Sequence, residues 1–139
     1  MRRLSGTALS AFVLLATGCL APRPVYRAGP SVTRLLGGFE QRGVASFYGT
    51  GFQGRLTASG EVFDMNDMTC AHRTLPFGTI LRVENLGNGR EATVRVNDRG
   101  PFVGGRIIDL SRGAAERLGM LESGTAEVLL RVVGVEDDS

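Results

Sequence analysis

The stretch Val96-Asn-Asp-Arg-Gly-Pro-Phe-Val-Gly-Gly-Arg-Ile-Ile-Asp-Leu-Ser111 decides the fold of this chain. An alternating strand ends at Asp98, and Gly100-Pro101 then forces the backbone to turn. Ile107 to Leu110 has the apolar character of a short buried strand, and Ser111 can cap a helix. The pattern predicts a carboxylate held at a rigid strand end, as a catalytic group requires. The alternative is an Asx turn in which Asp98 only shapes the loop.

Elsewhere the apolar positions alternate more often than they recur at helical spacing, which predicts a mainly β fold. Gly87-Asn88-Gly89 lies between two such segments and is a hairpin signal. One helix should run from Arg112 to Leu118 and end at Gly119, and a short helical turn is expected near Asp64. The predicted strands cover residues 44–48, 68–72, 79–86, 90–97, 107–110 and 126–133. Six short strands, with 20 glycines in 139 residues for tight turns, favour a closed barrel over a sandwich.

The N-terminal residues resemble an export signal. Met1-Arg2-Arg3 is basic, and residues 8–16 form an apolar run too short to span a bilayer. The small residues before Cys19 resemble the lipobox of bacterial lipoproteins, which predicts that Cys19 is acylated and tethers the chain to a membrane. Leu20 follows Cys19 directly, where an aspartate would resemble a signal for retention in the inner membrane. We therefore expect the outer membrane, on the side that faces the periplasm. The alternative is an ordinary secreted protein that is cut nearby or that keeps Cys19 free.

This interpretation divides the chain into four parts. They are a signal peptide (1–18), a flexible tether rich in Pro and Gly (19–41), one barrel domain (42–135) and a short tail (136–139).

Composition limits the partners and cofactors of that domain. Loss of Arg2 and Arg3 with the signal would remove the formal net charge of +2, so charge gives no argument for nucleic acid. With Cys19 acylated, Cys70 has no disulfide partner. One histidine and one spare thiol are too few soft donors for a structural zinc site.

Five motifs, in order from about Gly43 to Val133, resemble those of the rare lipoprotein A family. They are Gly43-Val-Ala-Ser-Phe-Tyr-Gly49, Thr57-Ala-Ser-Gly-Glu-Val-Phe-Asp64, Ala71-His-Arg-Thr-Leu-Pro-Phe-Gly78, Val96-Asn-Asp-Arg-Gly-Pro-Phe102 and Ile107-Ile-Asp-Leu-Ser111. The resemblance implies a six-stranded double-psi β-barrel, related to expansins, in an envelope protein. It also implies a lytic transglycosylase without a cofactor. Such an enzyme cuts peptide-poor peptidoglycan strands between N-acetylmuramic acid and N-acetylglucosamine and leaves 1,6-anhydro ends.

The sequence departs from the family pattern in several places. Phe47 stands where Trp is usual, Gln53 where His is frequent, and Cys70 where a small residue is usual. The barrel is also expected to lack the glycan-binding repeat that many members carry, which puts targeting to the division site in doubt.

The resemblance assigns roles to particular residues. Asp98 would protonate the leaving oxygen and then act as a base, with Glu61 as second carboxylate and His72 to orient or share a proton. A carboxylic acid in water has a pKa of about 4, so an acid catalyst needs burial or a neighbouring charge, which Glu61 would supply. The residues expected to bind substrate are Tyr48, Thr57, Asn97 and Arg99. Arg99 would pair with the lactyl carboxylate of muramic acid.

Other interpretations of these residues stay open. Glu61 could be a solvated loop acid and His72 a satisfied, semi-buried histidine. Phe52, which could stack on sugar rings beside Tyr48, could instead belong to the core. Arg99 could bridge to Asp109, which is interpreted as structural.

Rival functions also stay open. Cys70 and His72 are two residues apart on a predicted strand and could form a thiolate–imidazole pair. The barrel could bind glycan without cutting it. It could also hydrolyse glycan if water reaches the far face of the sugar.

Overall fold

The computed structural model describes residues 36–136. The predicted signal peptide, Cys19 and most of the tether lie outside the described residues. The strands are β1 (Glu40–Phe47), β2 (Thr69–Ala71), β3 (Thr79–Asn85), β4 (Glu91–Asp98), β5 (Arg106–Leu110) and β6 (Ala126–Val135). One α-helix, α1 (Arg112–Arg117), follows β5, and one short 3₁₀ turn spans Thr50–Phe52. Within these residues the structure contains no helix with the length and apolarity to cross a membrane.

The six strands close into a barrel in the order β1-β5-β2-β4-β3-β6. The pairs β1–β5 and β2–β4 are parallel, and the other neighbouring pairs are antiparallel. This confirms the six-stranded barrel and all six predicted strands. β1 begins earlier than predicted, because Glu40 to Gly43 pair with β6.

The barrel interior is filled by alternate strand residues. They are apolar and almost fully buried, among them Val83, Val94, Val96, Ile108, Leu110, Val128 and Leu130. β1 and β2 are not neighbours in the barrel, because β5 lies between them, so the long loop from Tyr48 to Met68 joins two strands that do not pair.

The predicted helix and hairpin are present, but the helical turn near Asp64 is not. The side chain of Ser111 accepts a hydrogen bond from the amide of Ala114 and so caps α1. Gly119, at φ +68°, follows the helix in the left-handed conformation that glycine tolerates. Near Asp64 the chain makes only a tight turn, closed by the amide of Asp67 on the carbonyl of Asp64.

Candidate active site

Asp98 is the last residue of β4 and accepts three hydrogen bonds. Its Oδ1 accepts from the amides of Ala58 at 2.8 Å and Arg99 at 2.9 Å. Its Oδ2 accepts from the hydroxyl of Tyr48 at 2.6 Å. Burial, helped by the hydrogen bond to Asp98, raises the pKa of Tyr48 far above its usual value, so the phenol keeps its proton and donates. Backbone amides therefore fix one carboxylate oxygen, and the other faces only a side chain.

A β-bulge sets the direction of Asp98. Cys70 on β2 pairs with Val96, but the next residue, Ala71, pairs with Asp98, so Asn97 is an extra residue in β4. Because side chains alternate along a strand, one extra residue moves all that follow it to the opposite face. The bulge therefore brings Asp98 to the same face as Ala71.

Asp109 reaches this face from the other side of β2. Ala71 pairs with Asp98 on β4 and with Asp109 on β5, so the two acids flank one small side chain. Strand spacing places their Cα atoms about 10 Å apart. The hydroxyl of Ser46 donates a hydrogen bond to Asp109. The interpretation of Asp109 as purely structural is therefore incomplete, since its carboxylate shares a surface with Asp98.

Both acids line one cleft of about 350 Å³. That volume lies in the range of roughly 300–1,000 Å³ found for small-molecule sites. The cleft is lined by Phe47, Tyr48, Gly49, Phe52, Asp98, Arg99, Gly100, Pro101, Phe102, Val103, Arg106 and Asp109. It is open to solvent and has aromatic walls with a pair of carboxylates between them.

The aromatic wall beside Asp98 includes two predicted sugar-stacking residues. The Tyr48 ring packs edge-on against Phe52, at 5.3 Å between ring centroids, and at a tilt against Phe63, at 4.7 Å. Phe63 is buried, whereas Phe52 is 44% exposed and lines the cleft. The interpretation of Phe52 as a core residue is therefore wrong.

Glu61 lies near the same strand end but is not among the residues that line the cleft. Its carboxylate forms a bidentate ion pair with Arg95, at 2.6 and 2.8 Å, and accepts a longer bond of 3.4 Å from Asn97. Arg95 balances its charge, so Glu61 does not bring a free negative charge to Asp98. It is also not a solvated loop acid.

Thr57 and Asn97, both predicted to bind substrate, are buried around this ion pair. The hydroxyl and the amide of Thr57 both donate to the carbonyl of Glu61 and close the loop from 57 to 61. In the described chain, Asn97 Oδ1 is buried without a hydrogen-bond partner. Neither residue lines the cleft, so the structure places both in the scaffold that holds Ala58 against Asp98.

His72 is buried and both of its ring nitrogens are occupied. Nδ1 accepts from the amides of Thr74 at 3.2 Å and Leu75 at 3.1 Å, so Nε2 carries the proton and donates to Gln41 at 2.8 Å. Burial, followed by the charges of Arg99 and Arg73, lowers the pKa of His72 to about 4. In this arrangement the neutral ring organises the loop after β2 and shares no proton with Asp98.

Arg99 does not bridge to Asp109. Its guanidinium donates to the carbonyls of Leu75 at 2.7 Å and His72 at 3.4 Å, and it lies 3.9 Å from the centroid of the Phe77 ring. It also borders the cleft, but these contacts hold its charged end against the protein.

The thiol of Cys70 does not support a cysteine nucleophile. Cys70 is fully buried in the barrel core, and burial raises the pKa of its thiol well above the usual range. A neutral, enclosed thiol beside a histidine engaged elsewhere cannot attack a substrate. Between residues 36 and 136 no group of three or more His, Cys, Asp or Glu side chains could hold a metal ion.

Comparison with known proteins gives a consistent picture. A family model described as lytic transglycolase matches residues 40–130. The endolytic peptidoglycan transglycosylase RlpA of Campylobacter jejuni is 60% identical over 92 residues, which are 66% of this chain and 34% of that protein. The probable endolytic peptidoglycan transglycosylase RlpA of a Synechocystis strain is 49% identical over 133 residues, which are 96% of this chain and 40% of that protein. The matches thus span well under half of these relatives.

Two solved structures share the fold. The Streptomyces papain inhibitor superposes with a TM-score of 0.57 at 25% identity, covering 70% of this chain and 96% of that one. An expansin from Clavibacter michiganensis superposes with a TM-score of 0.55 at 24% identity, covering 69% of this chain and 51% of that one. The expansin likeness concerns the fold alone.

Proposed function

The chain belongs to the lytic transglycolase family of RlpA-like double-psi β-barrels, and from this premise we propose that it is a peptidoglycan lytic transglycosylase. It would cleave the bond between N-acetylmuramic acid and N-acetylglucosamine in peptide-poor strands. The names of its relatives, endolytic peptidoglycan transglycosylases, support this reaction. The observation that carries the proposal is the cleft in which Asp98, hydrogen-bonded to Tyr48, lies across Ala71 from Asp109.

Asp98 is the proposed acid and base. Oδ1 is held by two backbone amides, so Oδ2 is the oxygen that exchanges a proton with the substrate. In its acid form Asp98 gives that proton to the glycosidic oxygen as the bond from C1 breaks. The 6-hydroxyl oxygen of the same muramic acid then bonds to C1, and its proton returns to Oδ2. The cycle restores the acid and consumes no water.

Asp109 and Tyr48 have supporting roles in this proposal. C1 gains positive charge as the glycosidic bond breaks, and a fixed carboxylate on the same face stabilises that charge. Asp109, which accepts a hydrogen bond from Ser46 and lines the cleft, is the carboxylate proposed for this role. Tyr48 holds the orientation of Oδ2, and Phe52 offers an apolar ring on which a sugar can stack.

The proposal is tested by incubating the purified chain with peptide-free glycan strands and analysing the products by mass. We expect 1,6-anhydro ends, and we expect Asp98→Asn to abolish them while folding normally. Reducing ends would identify a hydrolase instead. Binding without products would identify a glycan-binding module, and full activity of Asp98→Asn would overturn the assignment of the acid.

We also propose that Cys19 carries lipid and anchors the domain in the outer membrane, facing the periplasm. The support is the sequence alone, with a basic start, a short apolar run and small residues before Cys19. Cells that express the full chain should incorporate labelled palmitate into the protein, and Cys19→Ser should remove both the label and the membrane association. Equal labelling of the two would refute the anchor.

A further inference from the structure

Among the charged residues that line the cleft, Arg106 is the one whose side chain has no partner within residues 36–136. The charged residues that line the cleft are Asp98, Arg99, Arg106 and Asp109. Asp98 accepts three hydrogen bonds, Arg99 donates to two backbone carbonyls and Asp109 accepts from Ser46. Across residues 36–136 the guanidinium of Arg106 has no hydrogen bond or ion pair, and Asp109 is not within salt-bridge distance.

A second bulge directs Arg106 into the cleft. Val44 on β1 pairs with Arg106 and Ala45 pairs with Ile108, so Ile107 is an extra residue in β5. Arg106 and Asp109 are three positions apart and would point to opposite faces of a regular strand. The extra residue puts them on one face, less than about 10 Å apart along the strand.

The loop that precedes Arg106 is held rigidly by another arginine. Arg73 donates to the carbonyls of Pro101 at 2.6 Å, Val103 at 3.1 Å and Arg106 at 3.0 Å. This fixes the backbone at Arg106 before any ligand arrives, so less conformational freedom is lost on binding. The same loop exposes the ring of Phe102, which is 81% accessible at the rim of the cleft.

We propose that Arg106 binds the free lactyl carboxylate of a muramic acid residue in the cleft and so selects strands without stem peptides. This rests on the proposed function. A guanidinium without a partner suits a carboxylate, which it can bind through two hydrogen bonds. In a peptide-free strand the lactyl group on C3 of muramic acid ends in a carboxylate. When a stem peptide is attached, the same group is a neutral amide, and Arg106 then lacks its ligand.

The test compares three substrates of equal length: peptide-free strands, the same strands with every lactyl carboxyl converted to a methylamide, and strands that carry stem peptides. Arg106→Gln is compared with Arg106→Lys and with Arg82→Gln. Arg82 is an exposed arginine on β3, the strand opposite β5 in the barrel. Both binding affinity and cleavage rate are measured.

We expect the parent to prefer free carboxylates over methylamides by about tenfold to a hundredfold, as for a hydrogen-bonded charge pair. Arg106→Gln should lose this preference by weakening only on free-carboxylate strands. Arg106→Lys should keep part of it, and Arg82→Gln should keep all of it. Equal use of both substrates by the parent, or a preference that survives in Arg106→Gln, would overturn the proposal. So would a preference for peptide-bearing strands, which would mean that peptide carboxylates are the ligand.

The two proposals fail in different ways. A parent that binds free-carboxylate strands selectively through Arg106 but cuts none would refute the lytic activity and leave the role of Arg106 intact. A parent that cuts methylamide strands as fast as free-carboxylate strands would refute the role of Arg106 and leave the lytic activity intact. A parent that neither binds nor cuts these strands would refute both.

Discussion

The hydroxyl of Tyr48 donates a 2.6 Å hydrogen bond to Oδ2 of Asp98, a residue 50 positions further along the chain. Tyr48 follows β1 and Asp98 ends β4, which are not neighbours in the barrel, because β5 and β2 lie between them. The hydrogen bond therefore links two parts of the barrel that meet only at the cleft, which both residues line. Because the phenol keeps its proton, this hydrogen bond holds Oδ2 in one orientation.

Tyr48→Phe should lower kcat on peptide-free strands by about tenfold to a hundredfold, since a hydrogen bond to a charged group contributes roughly 1.5–3 kcal/mol. KM should change little, because the ring still packs against Phe52 and Phe63. Phe52→Leu is the control, because it changes the aromatic wall of the cleft and leaves the hydrogen bond to Asp98 in place. It should raise KM more than it lowers kcat. Steady-state kinetics of anhydro-end release measure both. A KM effect without a kcat effect in Tyr48→Phe would contradict the positioning role.

Glu61→Gln should lower the free energy of unfolding by about 1–3 kcal/mol, since it breaks the bidentate pair and leaves Arg95 partly buried. Activity should also fall, because the loop from 57 to 61 carries the amide of Ala58 that holds Asp98. The pH–rate profile should keep its shape, because Glu61 lies outside the cleft. Denaturant titration and a pH–rate series measure these effects, and loss of one limb of the profile would mark Glu61 as a catalytic acid or base.

The surface pair of Arg131 and Glu40 provides the matched control for Glu61→Gln. Both side chains are about half exposed, at 51% and 54%. Water screens such an exposed pair, so Glu40→Gln should change the unfolding free energy much less than Glu61→Gln does. An equal loss of unfolding free energy in the two variants would mean that the Glu61–Arg95 pair stabilises the fold no more than an exposed pair does.

The pattern of apolar residues is enough to locate all six strands and Asp98 at a strand end, and Gly87-Asn88-Gly89 locates the hairpin. The apolar pattern could not reveal the bulges at Asn97 and Ile107, because a period of two does not show one extra residue. The sequence pattern alone therefore does not place Asp109 and Arg106 on one face with Asp98. The sequence signal that could have indicated Arg106 and Asp109 is their position at the start and near the end of a short strand that follows a Gly-Pro turn.

The role of Glu61 could not be predicted for a different reason. Its partner, Arg95, is 34 residues away and no local pattern links the two. The resemblance of the motifs pointed to one region of the barrel, but it did not separate residues that line the cleft from those that support it.

His72 should make the fold less stable in mild acid. Its pKa is lowered to about 4 in the folded state from an ordinary value of 6.5, so the unfolded chain binds a proton in this interval and the folded chain does not. This contribution to stability is fully present above pH 6.5 and is lost as the pH falls towards 4, by about 3 kcal/mol at most. His72→Asn offers an oxygen to the amides of Thr74 and Leu75 without titrating, so its unfolding free energy should fall less over the same interval. Denaturation between pH 7 and pH 4 measures the difference, and identical slopes would show that His72 does not titrate as described.

Gly43→Ala should disturb the bulge that directs Arg106. A Cβ at Gly43 would lie 2.8 Å from Cγ2 of Ile107, the extra residue of β5, so that side chain must move. We expect a loss of about 1–3 kcal/mol in unfolding free energy, as for other overpacked sites, together with a lower kcat/KM on peptide-free strands. Gly134→Ala on β6 is the control, since a Cβ there meets nothing within 4 Å, and it should change both quantities little. Thermal melts and kinetics compare the two. If Gly43→Ala behaves like Gly134→Ala, the packing of Gly43 against Ile107 does not maintain the bulge.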